Sequence, residues 1–372
     1  MDSHKHFHLL QNKEIDELYI NLGLRAFSFG LISIFIPLFL LNLGYPLFDV
    51  FLFFTASSFC HILSLIPAAY LSSKIGLKHT IIFAQPLIII YFVLLFLLES
   101  IPIPIFIIGC VGGAYSGIFW LAFHSDFAEN SDAGSKGKEV AIGSVITSLL
   151  SAAAPVIGGV IIVYTNFSYL LGFVVVIIIS SVIPLLLTKD KKECVDFSIN
   201  KIFTKRNKHH STGYYGYGLY VRGFTLFWPL ILFSIVGSYV TLGLITTTLL
   251  VFSFIATIIF GSFFDKNKKN LISSSIFVGG VLWIVRLFVS TTIFAFIIDA
   301  IHGFVKPSSE ISVDATSYAN AGENAVDYII YREVMIHLGV MTCMLISLAT
   351  LSLHVGLIIA AIGSFLMILL LK

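Results

Sequence analysis

Four polar residues recur at helical spacing in a strongly apolar part of the sequence. They are Asp299, His302, Lys306 and Glu310, separated by three, four and four positions. Because residues three or four apart share one face of an α-helix, this spacing places the four side chains in a single stripe. Carboxylate and imidazole groups in such a stripe can hold a coupling ion or pass protons, and we predict that role for Asp299, His302 and Glu310. The alternative is that opposite charges four residues apart only neutralise one another.

Two arginines also stand among apolar residues, at matching places in the two halves of the chain. Arg25 lies in the sequence Leu-Arg-Ala-Phe-Ser-Phe, and Arg222 lies in Val-Arg-Gly-Phe-Thr-Leu. A guanidinium group suits phosphate or carboxylate because it donates two parallel hydrogen bonds. Arg25, Arg222 and Lys306 are therefore candidate ligands of an anionic substrate. Each arginine could instead pair within its own half, Arg25 with Glu17 by way of Asn21 for instance.

The composition around these residues is that of a membrane protein. The 372 residues are 58% hydrophobic and only 11% charged, whereas soluble proteins carry about 25% charged residues. A disordered chain, a disulfide-stapled secreted domain and an ordinary cytosolic enzyme are excluded. The four cysteines have no metal-ligand spacing, so we predict neither a metal nor a cofactor. A net charge of +2 gives no reason to expect a nucleic-acid partner.

Apolar runs of roughly 20 residues predict membrane-spanning helices, since a helix of that length crosses a bilayer core of about 30 Å. The sequence predicts an all-α membrane protein with twelve such helices. They cover residues 19–43, 47–73, 78–97, 102–125, 138–163, 167–187, 213–236, 239–264, 270–290, 292–315, 331–352 and 354–371.

The distribution of basic residues predicts the orientation of these helices. Of the 22 lysine and arginine residues, four lie well inside predicted spans. The rest all lie in the termini, in every second loop or in the first two residues of the span that follows such a loop. Basic loops face the cytoplasm, so both termini are predicted to be cytoplasmic. The longest polar stretch divides the spans six and six. We predict a tail over 1–18, bundles over 19–188 and 213–372, and a cytoplasmic linker over 189–212.

The two halves also repeat one another faintly in sequence. Besides the two arginine segments, the stretch after the second span echoes the stretch after the eighth. Gly137-Lys138-Glu139-Val140 before the fifth span likewise echoes Tyr331-Arg332-Glu333-Val334 before the eleventh. Parallel repeats of six helices are typical of carriers that bind their substrate between the halves, near the middle of the membrane.

In these features the chain resembles the major facilitator superfamily. The resemblance extends over roughly residues 18–371 and rests on the six-plus-six topology, the central linker and the loop after each second span. It implies two pseudo-symmetric six-helix bundles that rock about a central site. It also implies that the first and seventh helices face each other across a cavity, so that Arg25 and Arg222 converge there. Organophosphate/phosphate exchangers of the superfamily clamp a substrate phosphate in a similar way.

The loops after the second and eighth spans are similar to the family signature Gly-x-x-x-Asp-Arg-x-Gly-Arg-Lys, which implies a role in gating. The matching positions are Gly261, Asp265 and Lys266 in the second half and Lys74, Gly76 and Lys78 in the first. Ala69 and Ser73 replace the usual glycine and aspartate of the first copy. That copy therefore lacks its acidic partner.

The fifth span contains Ala154-Pro155-Val156-Ile157-Gly158-Gly159, which is similar to the end of a motif found in antiporting members. We predict that Pro155, Gly158 and Gly159, together with Pro307 in the tenth span, let the helices bend. Ordinary tight packing is the alternative.

We expect a secondary transporter that moves a small anionic or polar solute by alternating access, coupled to protons or working by exchange. It is expected to be a non-enzymatic, monomeric, multi-pass protein surrounded by lipid in the plasma membrane of a prokaryote. Proton-coupled efflux of amphipathic, drug-like compounds is the first alternative. A lipid-moving protein, or a scaffold or sensor that transports nothing, is the alternative of another class.

Overall fold

The computed structural model of this chain describes residues 13–130, 136–186, 197–204, 208, 210–264, 269–321 and 325–371. Asp265 and Lys266 of the predicted gating loop, residues 1–12 of the predicted tail and half of the predicted linker lie outside the described residues.

Six membrane helices form the first half of the chain. They are α1 (Lys13–Ile32 continued by Ile36–Asn42), α2 (Leu47–Ile75), α3 (Leu77–Leu97), α4 (Ile105–Asn130), α5 (Lys136–Ala152 continued by Ala154–Tyr164) and α6 (Phe167–Val182, ending in a 3₁₀ turn at Ile183–Leu186).

Six more helices form the second half, after a short helix at Ile199–Ile202. They are α7 (Ser211–Arg222, a π-helical turn at Gly223–Phe227, and Trp228–Val236), α8 (Tyr239–Phe264), α9 (Lys269–Val285 with a 3₁₀ turn at Arg286–Phe288), α10 (Thr292–Ala321), α11 (Ala325–Thr350) and α12 (Leu353–Met367 with a 3₁₀ turn at Ile368–Leu371).

The predicted set of twelve helices is confirmed. Eleven of them are long and apolar enough to cross a membrane within the described residues, and α10 is the exception because it carries the polar stripe. Four boundaries differ from the prediction by five or six residues. Helix α1 begins at Lys13 rather than at 19, and α4 ends at Asn130 rather than at 125. Helix α10 runs on to Ala321, and α11 already begins at Ala325 rather than at 331. Arg332 therefore lies seven residues inside α11, only 4% exposed, and not at the start of the helix.

Prolines and a π-helical turn explain where the helices are interrupted. Pro37 and Pro155 each occupy the first turn of a new helical segment, where the missing N–H is harmless. Pro307, in contrast, lies inside α10, whose helix continues unbroken to Ala321. The π-helical turn of α7 directly follows Arg222. Such turns are rare in proteins and are frequent at functional sites.

The two halves meet along two equivalent seams, α5 against α8 and α2 against α11. The seams are equivalent because α2 of the first half corresponds to α8 of the second, and α5 corresponds to α11. In the first seam the backbones are in direct contact: a Cβ atom on Gly159 would lie 2.5 Å from the carbonyl oxygen of Tyr239. Gly243 meets the Pro155 carbonyl in the same way, and Gly158 meets the Leu31 carbonyl within the first half. Gly158 and Gly159 thus allow close helix contacts, which was the alternative interpretation of this motif.

Candidate functional site

A cavity of about 530 Å³ lies between the halves and contains both predicted arginines. Most of its wall comes from the first half, with α7 closing it from the second half. Apolar and aromatic side chains dominate the lining, including Phe29, Phe53 and Trp120. A volume of this size is in the range of about 300–1,000 Å³ that is typical of sites for small molecules.

Arg25 is held in this wall by aromatic rings. Its guanidinium carbon lies 3.4 Å from the centre of the Phe119 ring, and 5.2 and 5.3 Å from those of Tyr115 and Phe29. The side chain is only 3% exposed. Its Nε and Nη1 atoms are buried without a hydrogen-bond acceptor. The predicted alternative partners are engaged elsewhere, because Glu17 binds Lys78 and the Asn21 amide donates to the Ser181 carbonyl.

Arg222 faces the same cavity from the other half of the protein. Its guanidinium carbon lies 5.0 Å from the centre of the Phe54 ring, and its buried Nε atom has no acceptor. The π-helical turn that follows places Thr225 in the cavity wall as well. Neither Arg25 nor Arg222 forms an ion pair with any carboxylate among the described residues.

Chemically, this arrangement of two arginines can bind an anion. Removing a cation from water costs several kcal/mol, whereas a contact with an aromatic ring returns about 0.5–2 kcal/mol. The rings also offer no lone pairs in the guanidinium plane, so the buried N–H groups stay unsatisfied. Phosphate or carboxylate oxygens would supply both the charge and the acceptors.

The polar stripe of α10 is divided between two places, and the cavity lining contains none of its four residues. At one end, Asp299 accepts a hydrogen bond from Arg286 at 2.5 Å and another from the Trp228 indole at 3.1 Å. Arg286 also lies 2.6 Å from Nδ1 of His302. All of these side chains are buried, and Asp299 and His302 are at most 1% exposed. Arg286 and Asp299 thus form a buried ion pair between the neighbouring helices α9 and α10.

The other end of the stripe is partly exposed. Lys306 pairs with Glu310 at 2.8 Å, one helical turn away, and the Glu310 side chain is 39% exposed. One turn further, Asp314 accepts a hydrogen bond from Arg332 of α11 at 2.5 Å. Lys306 is thus placed apart from the two cavity arginines. Its assignment to the substrate, and coupling through Asp299, His302 and Glu310, stay predictions.

The loop between α2 and α3 contains the first set of predicted gating residues. Gly76 has a φ of +89°, a conformation that favours glycine, and it links the two helices without a longer loop. Lys78 is buried and lies 2.6 Å from Glu17 of α1. Glu17 thus supplies a carboxylate that the first copy of the signature lacks. Lys74 is exposed beside Tyr70, and Gly261 lies in the last turns of α8.

A second polar cluster joins the halves directly beneath the cavity, and little in the sequence pointed to it. The Nε2 atom of His61 in α2 lies 3.0 Å from a carboxylate oxygen of Glu333 in α11. The Nδ1 atom of His61 lies 3.1 Å from the hydroxyl of Ser116, which lines the cavity. The other oxygen of Glu333 accepts from Arg332 at 2.5 Å, and the His337 ring stacks on His61.

Two solved transporters have folds similar to this chain. The first is a variant of the Escherichia coli fucose:proton symporter FucP, with 15% identity and a TM-score of 0.70, covering 96% of this chain and 97% of that one. The second is the human organic anion transporter MFSD10, with 10% identity and a TM-score of 0.69, covering 97% of this chain and 99% of that one. At such identities the likeness concerns the fold alone.

The sequence itself matches a family model as well. Residues 18–200 match the model described as Major Facilitator Superfamily. The chain belongs to the major facilitator superfamily. It is therefore an integral, multi-pass membrane protein of a transporter superfamily whose members are in general not enzymes. No curated protein matches the sequence, so the site geometry is the basis for a narrower assignment within the superfamily.

Proposed function

We propose that this protein is a secondary transporter that moves a small organic anion by alternating access. Arg25 and Arg222 bind the anionic group, and the aromatic wall of the cavity binds an apolar body. One observation supports this proposal most strongly. One guanidinium from each half lines a single cavity, and neither has a carboxylate partner among the described residues.

This arrangement suits alternating access because the two arginines belong to different bundles. An anion bound by both would contact each moving body, and its binding free energy would depend on how the bundles are arranged. A ligand shifts a conformational equilibrium only through such a difference. FucP is described as a fucose:proton symporter and MFSD10 as an organic anion transporter. Both descriptions fit secondary transport, and the second fits an anionic substrate.

Thermal stabilisation and counterflow together test this proposal. The purified protein is heated with benzoate, glycerol 3-phosphate, fucose, and a cationic amphiphile, since a ligand that binds the native state raises its apparent stability. We expect stabilisation by one of the anions, with counterflow of the same labelled anion in proteoliposomes. Arg25→Gln and Arg222→Gln should each abolish both effects.

Lys208→Gln is the matched control, because it removes an exposed positive charge outside the cavity and outside the predicted gating loops. It should behave as wild type. Anion binding that persists in both arginine variants would contradict the proposed site.

A second candidate is the efflux of amphipathic, drug-like compounds, and the apolar lining of the cavity favours it. The aromatic rings of Phe53, Phe54 and Trp120 can contact a ligand that carries no negative charge. This function predicts that the cationic amphiphile stabilises the protein as well as the anions do. It also predicts that the two arginine variants still bind that compound.

A further inference from the structure

We propose that His61 and Glu333 form the proton site that couples transport, reached from the cavity through Ser116. The inference rests on the transport function proposed above and adds the site at which the proton acts. It moves the coupling site away from the α10 stripe to the seam between α2 and α11.

The connection to the cavity is direct. The Ser116 hydroxyl lines the cavity and lies 3.1 Å from Nδ1 of His61, whose Nε2 lies 3.0 Å from Glu333. A proton arriving from the cavity can therefore bind the imidazole at Nδ1, with the Ser116 hydroxyl as the intermediate carrier. The resulting imidazolium donates its Nε2–H to the Glu333 carboxylate. Histidine is the side chain best suited to this change near neutral pH.

The charges around the pair favour such a proton. Glu333 and Asp314 each contribute one negative charge, and Arg332, bonded to both carboxylates, contributes one positive charge. A protonated His61 adds the second positive charge. Asp314, Arg332, Glu333 and His61 contact one another in that order. The other titratable groups facing this chain are His337 of α11, His124 of α4, Glu310 and Tyr318 of α10, and Tyr214 and Tyr217 of α7. Arg222 of α7 is a further cation that faces His337.

The pair also holds the two halves together. His61 belongs to the first bundle and Glu333 to the second, and both are buried, with side chains 1% and 5% exposed. An imidazolium attracts the carboxylate more strongly than a neutral ring does, so a proton favours the arrangement in which this seam is closed. Loss of the proton weakens the seam and favours separation of the bundles at the predicted cytoplasmic face.

A divalent metal ion fits the same residues less well. Ligand atoms of His61, Glu333 and His337 lie within 4.8 Å of one another. However, the two rings are stacked face to face, 3.4 Å apart at 16°, and their lone pairs lie in the ring planes and do not converge on one point. Glu333 also already has the Arg332 guanidinium as its cation. A doubly charged ion would leave the chain of groups with a surplus positive charge.

The first test measures the seam without any substrate. Spin labels are placed on Lys74 of α2 and Asn270 of α9, both at the predicted cytoplasmic face, in a protein whose native cysteines are replaced by serine. Their distance distribution is recorded between about pH 5 and pH 8. We expect the longer-distance population to grow as the pH rises, by at most about tenfold per pH unit because a single proton is involved.

His61→Gln should make this distribution independent of pH, since glutamine can still bond to Ser116 and Glu333 but does not titrate. Glu333→Asp, which keeps the charge, should retain the pH dependence. His354→Gln is the matched control, because His354 is an exposed histidine at the opposite face. An unchanged pH dependence in His61→Gln would overturn the proposal. So would a shift caused by micromolar Zn²⁺ in wild type that is absent from His61→Gln.

The second test separates coupling from transport itself. In proteoliposomes, His61→Gln should keep counterflow of the labelled anion, which needs no proton gradient, and should lose accumulation driven by a pH gradient. If wild type shows no anion counterflow, the proposed substrate is wrong, while the spin-label experiment still decides the proton site. Gradient-driven accumulation at the wild-type level in His61→Gln would refute the coupling role.

Discussion

Among single residues, the arginines of the described membrane helices fall into two groups, whose removal should have opposite consequences for stability. Arg286 and Arg332 are paired with carboxylates at 2.5 Å. Arg25 and Arg222 have aromatic neighbours and buried donors without acceptors. Removing an arginine of the first group would leave a carboxylate without its cation. The second group is held at the expense of folding free energy, in the place where a substrate is proposed to bind.

Arg25→Met should stabilise the ligand-free protein, because the change removes a buried cation that lacks an ionic partner. We expect a gain of about 1–3 kcal/mol, in the range found when unsatisfied buried groups are removed. The apparent melting temperature in detergent measures it. The same variant should lose the stabilisation produced by the anion. A fall in melting temperature without ligand would contradict the view that Arg25 is unsatisfied.

Arg286→Met should have the opposite effect and lower stability by about 3–5 kcal/mol, since it leaves the Asp299 carboxylate buried without its cation. The double variant Arg286→Met with Asp299→Leu should recover most of the loss, because no charge then remains. Melting temperatures of the single and double variants check this. Equal losses in both would show that packing, and not the ion pair, stabilises this cluster.

The sequence predicted the cavity arginines, but it did not predict the cluster of His61 and Glu333 below the cavity, for a physical reason. Arg25 and Arg222 are recognisable because a charge inside an apolar run is expensive wherever its partner lies. His61 and Glu333 are 272 positions apart and meet only through the packing of α2 on α11. The predicted start of α11 at residue 331 also placed Glu333 at the end of the helix, where a charge is common. With α11 beginning at Ala325, it lies eight residues, or about 12 Å, inside the helix.

Among the helices, the glycines of the α5 and α8 seam control how closely the halves approach. Gly159 and Gly243 bring the backbone of each helix against a carbonyl of the other. The sequence predicted the helices themselves well, because runs of apolar residues fix their number and approximate ends. It left the role of these glycines open, because a glycine that allows a bend and one that allows contact have the same local sequence.

Gly159→Ala should push α5 and α8 apart, since the new Cβ atom would lie 2.5 Å from a backbone oxygen that cannot rotate away. We expect a loss of about 1–3 kcal/mol of stability and slower counterflow. Gly172→Ala in α6 is the matched control, because a Cβ atom there meets nothing within 4 Å. A Gly159→Ala protein as stable and active as the control would show that the seam is not tightly packed.

On the scale of the whole molecule, the halves are bonded to each other at both faces of the cavity. At the predicted cytoplasmic face, Nδ1 of His124 in α4 lies 2.6 Å from the Tyr318 hydroxyl of α10. At the opposite face, the Asn42 amide of α1 donates to the Tyr239 hydroxyl of α8 at 3.0 Å. Alternating access requires each of these bonds to break while the other remains.

Removing one bond at a time should therefore shift the protein in opposite directions. Tyr318→Phe deletes the bond at the predicted cytoplasmic face, and Tyr239→Phe deletes the one at the opposite face. A hydrogen bond contributes about 0.5–1.5 kcal/mol, so each change should move the ratio of the two arrangements by up to about tenfold. With spin labels on Lys74 and Asn270, Tyr318→Phe should increase the longer-distance population, and Tyr239→Phe should decrease it. A shift in the same direction in both variants would mean that the bundles do not rock about the cavity as two bodies.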